Sequence, residues 1–276
     1  MSKPSKGTLM LAISVFAIIF VSVAPFLWFG LLAFKPYIDI TAVPPRIFPS
    51  HFSLEAMSSA IYKHDLFHYL KNSVIVAGTT TVLSVVIGTL AAYPLARISI
   101  KYKRTILLVI LAAGMFPQIA IAGPIWRLLR DLGWLNTYHG LILPYLAFSL
   151  PITVWILAIF FSELPRELEE AAKIDGADLF QILRKIIVPL AAPGIFTAAI
   201  LSFIACWNEF FFALLIMTRS DFQTLPVGIA LFPGEHTMPW GEIAAASLVT
   251  TLPLVVFTLF FQKRIIAGLT SGAVKG

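Results

Sequence analysis

Six uncharged, strongly apolar runs, at residues 7–34, 72–96, 105–126, 132–162, 186–208 and 243–262, constrain this chain more than any other feature. Crossing a hydrocarbon core of about 30 Å takes about 20 apolar residues, because a helix advances only about 1.5 Å per residue. The backbone must also satisfy its own hydrogen bonds there, which a helix does within one segment. Every run is long enough, so the chain is expected to be an all-α, polytopic membrane protein with six transmembrane helices. Spans are placed at about 9–34, 73–96, 105–126, 141–161, 192–217 and 243–262, within a single transmembrane domain over 1–276. Composition agrees, since 12% of residues are charged, against about 25% in soluble domains.

The first run exceeds the 7–15 residues of a signal-peptide core, and no small-residue cleavage site follows Lys35-Pro36, so it reads as a retained anchor helix. A single cysteine, Cys206, supports neither a disulfide framework nor a Cys-rich metal site. The net charge of +6 would suit nucleic acid in a soluble protein. In a membrane protein a basic excess belongs to cytoplasmic loops, so lipid and not nucleic acid is the expected partner.

With the amino terminus inside, the cytoplasmic segments hold 13 of the 20 basic residues, among them Arg97, Lys101, Lys103 and Arg104 between the second and third spans. The opposite side holds the other 7. That asymmetry places both termini in the cytoplasm. Pro25, Pro94, Pro117, Pro144, Pro151, Pro193 and Pro253 lie in the spans with Gly88, Gly114 and Gly194, so kinks and close helix approaches are expected.

Ten of the 34 charged residues fall between Glu163 and Lys185, in a cytoplasm-facing segment at 163–189 between the fourth and fifth spans. Pro165 followed by Glu167, Glu169 and Glu170 suits the positive end of a helix, and Asp175-Gly176 reads as its stop. A second helix restarts at Asp178, with Gln181 positioned to complete a capping box. Leu179, Ile182, Leu183, Ile186 and Ile187 form one apolar stripe, and Pro189 should end the helix near Val188. The result is a short helix–turn–helix, either a docking element or an interfacial helix on lipid headgroups. Its anionic face is a poor match for anionic headgroups, which favours docking.

Glu170-Ala171-Ala172, Asp175-Gly176-Ala177, Ile186 and Pro189 resemble the EAA motif of binding-protein-dependent importer permeases, ATP-binding-cassette proteins, with the family's spacing from Glu to Gly to Ile. Leu183 stands where many sugar-class members carry Phe. Trp207-Asn208-Glu209-Phe210 and the segment at 268–276 extend the likeness to the carbohydrate-uptake branch, similar to the smaller permease of maltose and trehalose importers. The resemblance implies a multi-pass protein of the bacterial or archaeal inner membrane, paired with a second permease, two ATPase subunits and an extracytoplasmic solute-binding protein. It implies that Glu170 meets a basic residue in an ATPase cleft, with Gly176 as the turn. It implies a further ATPase contact through Ser271, Gly272, Ala273, Val274, Lys275 and Gly276. The loop carrying Pro233, Gly234, Glu235 and His236 resembles one that reaches the binding protein. ATP and magnesium would sit on the ATPase partners, with no cofactor on this chain.

Glu209 interrupts an apolar stretch at 186–217, and with Asn208 it makes a polar step. An ionisable group at membrane depth faces a cavity or a partner, so the pair reads as pathway lining or inter-subunit bonding; a solvated pair at the outer interface is the alternative. The chain has no G-x-x-x-x-G-K-[ST] loop, no H-E-x-x-H spacing and no G-x-S-x-G elbow, so neither ATP hydrolysis nor other catalysis is expected here. A secondary transporter is the rival class. It would need coupling-ion groups near the midplane, and Glu209 alone qualifies.

Overall fold

The computed structural model describes residues 6–44, 46–232 and 238–271, and the regular structure among them is helical, joined by turns and irregular segments. Among the described residues four helices are long and apolar enough to cross a membrane: Met10–Ala33, Leu66–Arg97, Tyr138–Glu163 and Trp240–Phe260. Two bent pairs, Lys103–Gly114 with Gln118–Asp131 and Leu179–Leu190 with Ala192–Trp207, raise the number to six if each pair is one crossing; both bend by 79°. The protein is therefore an all-α, polytopic membrane protein.

The first bend falls within the expected span at 105–126; the second, at Ala191, lies just before the expected span at 192–217, which is interrupted instead after Trp207. At the first, Pro117 takes an extended backbone, ψ 119°. Its ring disfavours a helical residue before it, and the chain breaks between Gly114 and Gln118. The second rod ends at Trp207, and a separate helix follows at Phe211–Ile216. Side chains stabilise that break: Asn208 Nδ2 donates to the Ile204 carbonyl at 2.8 Å, and Glu209 takes over the amides of the next turn. Pro25, Pro94, Pro144, Pro151 and Pro253 lie inside continuous helices.

The chain divides into two compact units. One comprises Met1–Phe67 and Ile229–Pro253, the other His68–Gly228 and Leu254–Gly276. In the first, Lys35 is 4% exposed; its Nζ donates to the carbonyls of Arg46 at 2.7 Å and Ile47 at 3.0 Å. Asp39 accepts from the Ser50 amide at 2.6 Å and from Arg46 at 2.7 Å. Bonds from the Ser50 hydroxyl and amide, aided by the Arg46 guanidinium, hold the Asp39 carboxyl below the usual carboxylate range against the opposing effect of burial. Glu242 accepts from Ser59 at 2.7 Å and meets His64 Nε2 at 2.5 Å. These contacts fold the segment after the first span into a fixed cap over the start of the last helix.

In the second unit Tyr138–Glu163 is the central helix, burying 56% of its most apolar stretch. It packs against Lys103–Gly114 and Ala192–Trp207. At Gly194 a Cβ would fall 2.2 Å from Phe160 Cγ, so only glycine lets the two helices meet there. Gly194→Ala forces that ring aside. Overpacking of this kind costs about 1–3 kcal/mol, and thermal unfolding of the purified protein in detergent should show a lower Tm.

Candidate functional site

The 163–189 segment folds as the sequence predicts at its turn and departs from prediction at both flanks. The first helix, Glu167–Ile174, ends with Asp175 as its last half-helical residue and Gly176 at φ +82°. Gly176 N–H donates to the Lys173 carbonyl at 3.0 Å and Ala177 N–H to the Ala172 carbonyl at 2.9 Å. That pair is a Schellman closure, which needs the left-handed backbone glycine adopts without penalty. Nothing approaches a Cβ at Gly176, so its requirement is conformational and not spatial. The second helix starts with the expected capping box: Asp178 Oδ1 accepts from the Gln181 amide at 2.8 Å, and Gln181 Oε1 accepts from the Asp178 amide at 3.3 Å.

Three findings revise the sequence reading. First, the acids of the opening helix do not share one face. Glu170 is exposed together with Ala171, while Glu169 is 7% exposed and turned inward. Arg97, at the end of helix Leu66–Arg97, ion-pairs with Glu169 through Nε. Arg97 also donates to the carbonyls of Leu164 at 2.9 Å and Pro165 at 3.2 Å, and Tyr93 donates to Glu169 Oε2 at 3.4 Å. The two charged side chains are only 4% and 9% exposed. A buried pair persists only where further hydrogen bonds satisfy both ions, and here three protein groups do so.

Second, the apolar stripe is buried in part. Ile182, Leu183 and Ile187 enter a core with Ala92, Leu157, Phe161 and Ala172, and Ile186 is half-buried. Leu179, at the helix's first turn beyond that core, is 58% exposed, beside Phe180 at 64% and Ile174 at 87%. The exposed face of the element is therefore apolar at its turn and acidic along its first helix. Third, the helix does not stop near Val188. A π-turn spans Leu183–Ile187, with Val188 N–H donating to Leu183 five residues back, and helix continues to Leu190. That wider turn absorbs Pro189, which has no N–H to donate; the chain bends at Ala191 instead.

Glu209 is satisfied within the chain. Its Oε1 accepts from the Phe212 amide at 2.9 Å, and its Oε2 accepts from the Ala213 amide at 3.2 Å and the Tyr145 hydroxyl at 2.6 Å. It caps helix Phe211–Ile216 and borders a cavity of about 90 Å³ lined also by Gln118, Ser149 and Ser202. Asn208 is exposed. Glu209→Ala strands two amides and a hydroxyl, at about 1–3 kcal/mol for each group left dry, whereas Glu209→Gln keeps the acceptor. The expected order of Tm is wild type, then Gln, then Ala well below. An unchanged Tm in the Ala variant would contradict the capping role.

Sequence reasoning missed Asn72, which is fully buried. It donates to the carbonyls of Asp221 at 3.1 Å and Gln223 at 2.9 Å, and accepts from the Tyr138 hydroxyl at 2.7 Å. An asparagine opening an apolar run was the available signal. Pro233, Gly234, Glu235 and His236 lie outside the described residues, as do Gly272, Ala273, Val274, Lys275 and Gly276; Ser271 ends the last helix. Among the described residues, no group of three or more His, Cys, Asp or Glu could hold a metal.

Residues 84–270 match the family described as binding-protein-dependent transport system inner membrane component. The chain is 50% identical over 209 residues to a trehalose/maltose transport system permease protein of Thermococcus litoralis, covering 75% of each. It is 45% identical over 255 residues to a trehalose transport system permease protein of Mycobacterium tuberculosis, covering 91% of this chain and 92% of that one. A sulfoquinovosyl glycerol transport system permease protein of Agrobacterium fabrum is 40% identical over 252 residues, covering 91% of this chain and 88% of that one. The fold matches a chain from the crystal structure of a bacterial ABC transporter involved in import of the acidic polysaccharide alginate. The TM-score is 0.80 at 20% identity, over 95% of this chain and 99% of that one.

Proposed function

The chain belongs to the binding-protein-dependent transport system inner membrane component family, and from that premise we propose that it conducts a sugar across the inner membrane by moving when a separate ATPase moves residues 163–189. It is the permease subunit of an ATP-binding-cassette importer. With a second permease it forms the pathway for a di- or oligosaccharide-type sugar or a glycoside, the class named in its trehalose, maltose and sulfoquinovosyl glycerol relatives. A solute-binding protein delivers the substrate, and ATP is hydrolysed on the ATPase partners. Both termini face the cytoplasm, and 1–276 acts as one permease domain.

One observation carries the coupling assignment: helix Glu167–Ile174 holds Glu170 and Ala171 outward while Glu169 fastens its inner side to Arg97. Displacing the outer face must drag the end of helix Leu66–Arg97 with it. Gly176 sets the angle at which Ile174, Leu179 and Phe180 meet the ATPase, and Ile186 and Pro189 lead the motion into the bend at Ala191. The tail at 271–276 is a second ATPase contact. Asn208 and Glu209 border the path, and Pro233, Gly234, Glu235 and His236 face the binding protein.

The native cysteine, Cys206, is buried, so the introduced thiol of Glu170→Cys can be followed by itself. It should react with a soluble maleimide in the isolated permease and be protected in the assembled importer. Equal labelling in both would contradict the assignment.

A further inference from the structure

We propose that the second unit carries a binding site for one anionic phospholipid of the cytoplasmic leaflet, in a groove roofed by Lys103 and Arg104. A cavity of about 260 Å³ opens between the end of helix Leu66–Arg97, the start of helix Lys103–Gly114 and the last turns of helix Tyr138–Glu163. Its body is apolar, formed by Leu95, Leu107, Trp155 and Ile159, and its rim carries Lys103 and Arg104. Among the described residues no carboxylate lines it.

An apolar slot ending in two cations is complementary to an amphiphile with an acyl chain and an anionic head. Basic pockets between helices on the cytoplasmic side are where such headgroups bind. Both cations are exposed, and neither forms an ion pair among the described residues. They also occupy the positive end of their helix, whose first turn contains no acid, an unfavourable placement unless an anion lies nearby. Lys101 adds a third positive charge two residues away. A protein partner would bury the apolar slot equally well but would have to bring carboxylates to both cations; phospholipid already supplies the anion at this depth. The depth follows from the proposed orientation, on which the choice of leaflet rests.

The test compares the complete importer, extracted with native lipid, with one carrying Lys103→Gln and Arg104→Gln, by native mass spectrometry. Wild type should retain one phosphatidylglycerol per copy of this chain after the bulk lipid is stripped. Two lost basic contacts should weaken retention about thirtyfold, while the charge-preserving exchange Lys103→Arg with Arg104→Lys should retain the lipid. Equal retention in the Gln variant, or no preference for phosphatidylglycerol over phosphatidylethanolamine, would overturn the site. So would a photo-crosslinker at position 159 that captures the second permease instead of lipid. Lys101→Cys reports orientation separately. Labelling by an impermeant reagent from the cytoplasmic face supports the leaflet, whereas labelling from outside overturns both leaflet and topology.

Discussion

Arg97→Met should abolish ATP-driven uptake while leaving the chain inserted in the membrane. The substitution removes the cation that neutralises Glu169 and the two bonds by which it ties Leu164 and Pro165 to helix Leu66–Arg97. Breaking a buried pair from one side costs about 3–5 kcal/mol, because an unpaired ion is left behind. The cost falls on a single short helix held otherwise by Ala172 and the following turn, so the element should detach locally before the bundle unfolds. Proteolysis within 163–189 should accelerate, and the ATPase should copurify weakly. Replacing both partners, Arg97→Met with Glu169→Leu, removes the stranded charge and should restore resistance to proteolysis. Protease sensitivity equal to wild type in the single variant would contradict the anchoring role.

Glu170→Lys should have an equally large effect on uptake for the opposite reason. Glu170 is exposed and forms no ion pair among the described residues, so reversing its charge should leave Tm and insertion unchanged. In the proposed docking a cation would then face a basic ATPase group, and like charges at a docking surface cost several kcal/mol. Uptake and copurification should both fall to background. The contrast with Arg97→Met is diagnostic: one variant loosens the element within the permease, the other leaves it intact and loses the partner.

Much of this was legible in the sequence because it is local. Asp175-Gly176 and Asp178 with Gln181 specify a turn and a cap through residues at most three apart, and the structure contains both. The apolar runs gave the helical class in the same way, because length and hydropathy decide what lipid accepts. Pro117 marked a kink, but its 79° could not be read, since a bend's size depends on what packs beside it. Leu183–Ile187 carried no composition signal for a π-turn.

The miss that matters most in the candidate site is the Arg97–Glu169 pair, 72 residues apart. Three glutamates in one turn looked alike in sequence, and only tertiary placement distinguishes Glu169, facing the bundle, from Glu170, facing away. Asn72 and Asp221 were obscure for the same reason, being 149 residues apart. Glu209 was recognised as anomalous, and the structure added that two backbone amides and Tyr145 already satisfy it.

The central claim is that this chain is a passive permease moved by another protein's ATP hydrolysis. Uptake of labelled trehalose or maltose into proteoliposomes tests it most directly. The account predicts no uptake by this chain alone under any ion gradient, and uptake with ATP once the second permease, the ATPase and the binding protein are present. Uptake driven by a proton or sodium gradient in the absence of the ATPase would contradict it.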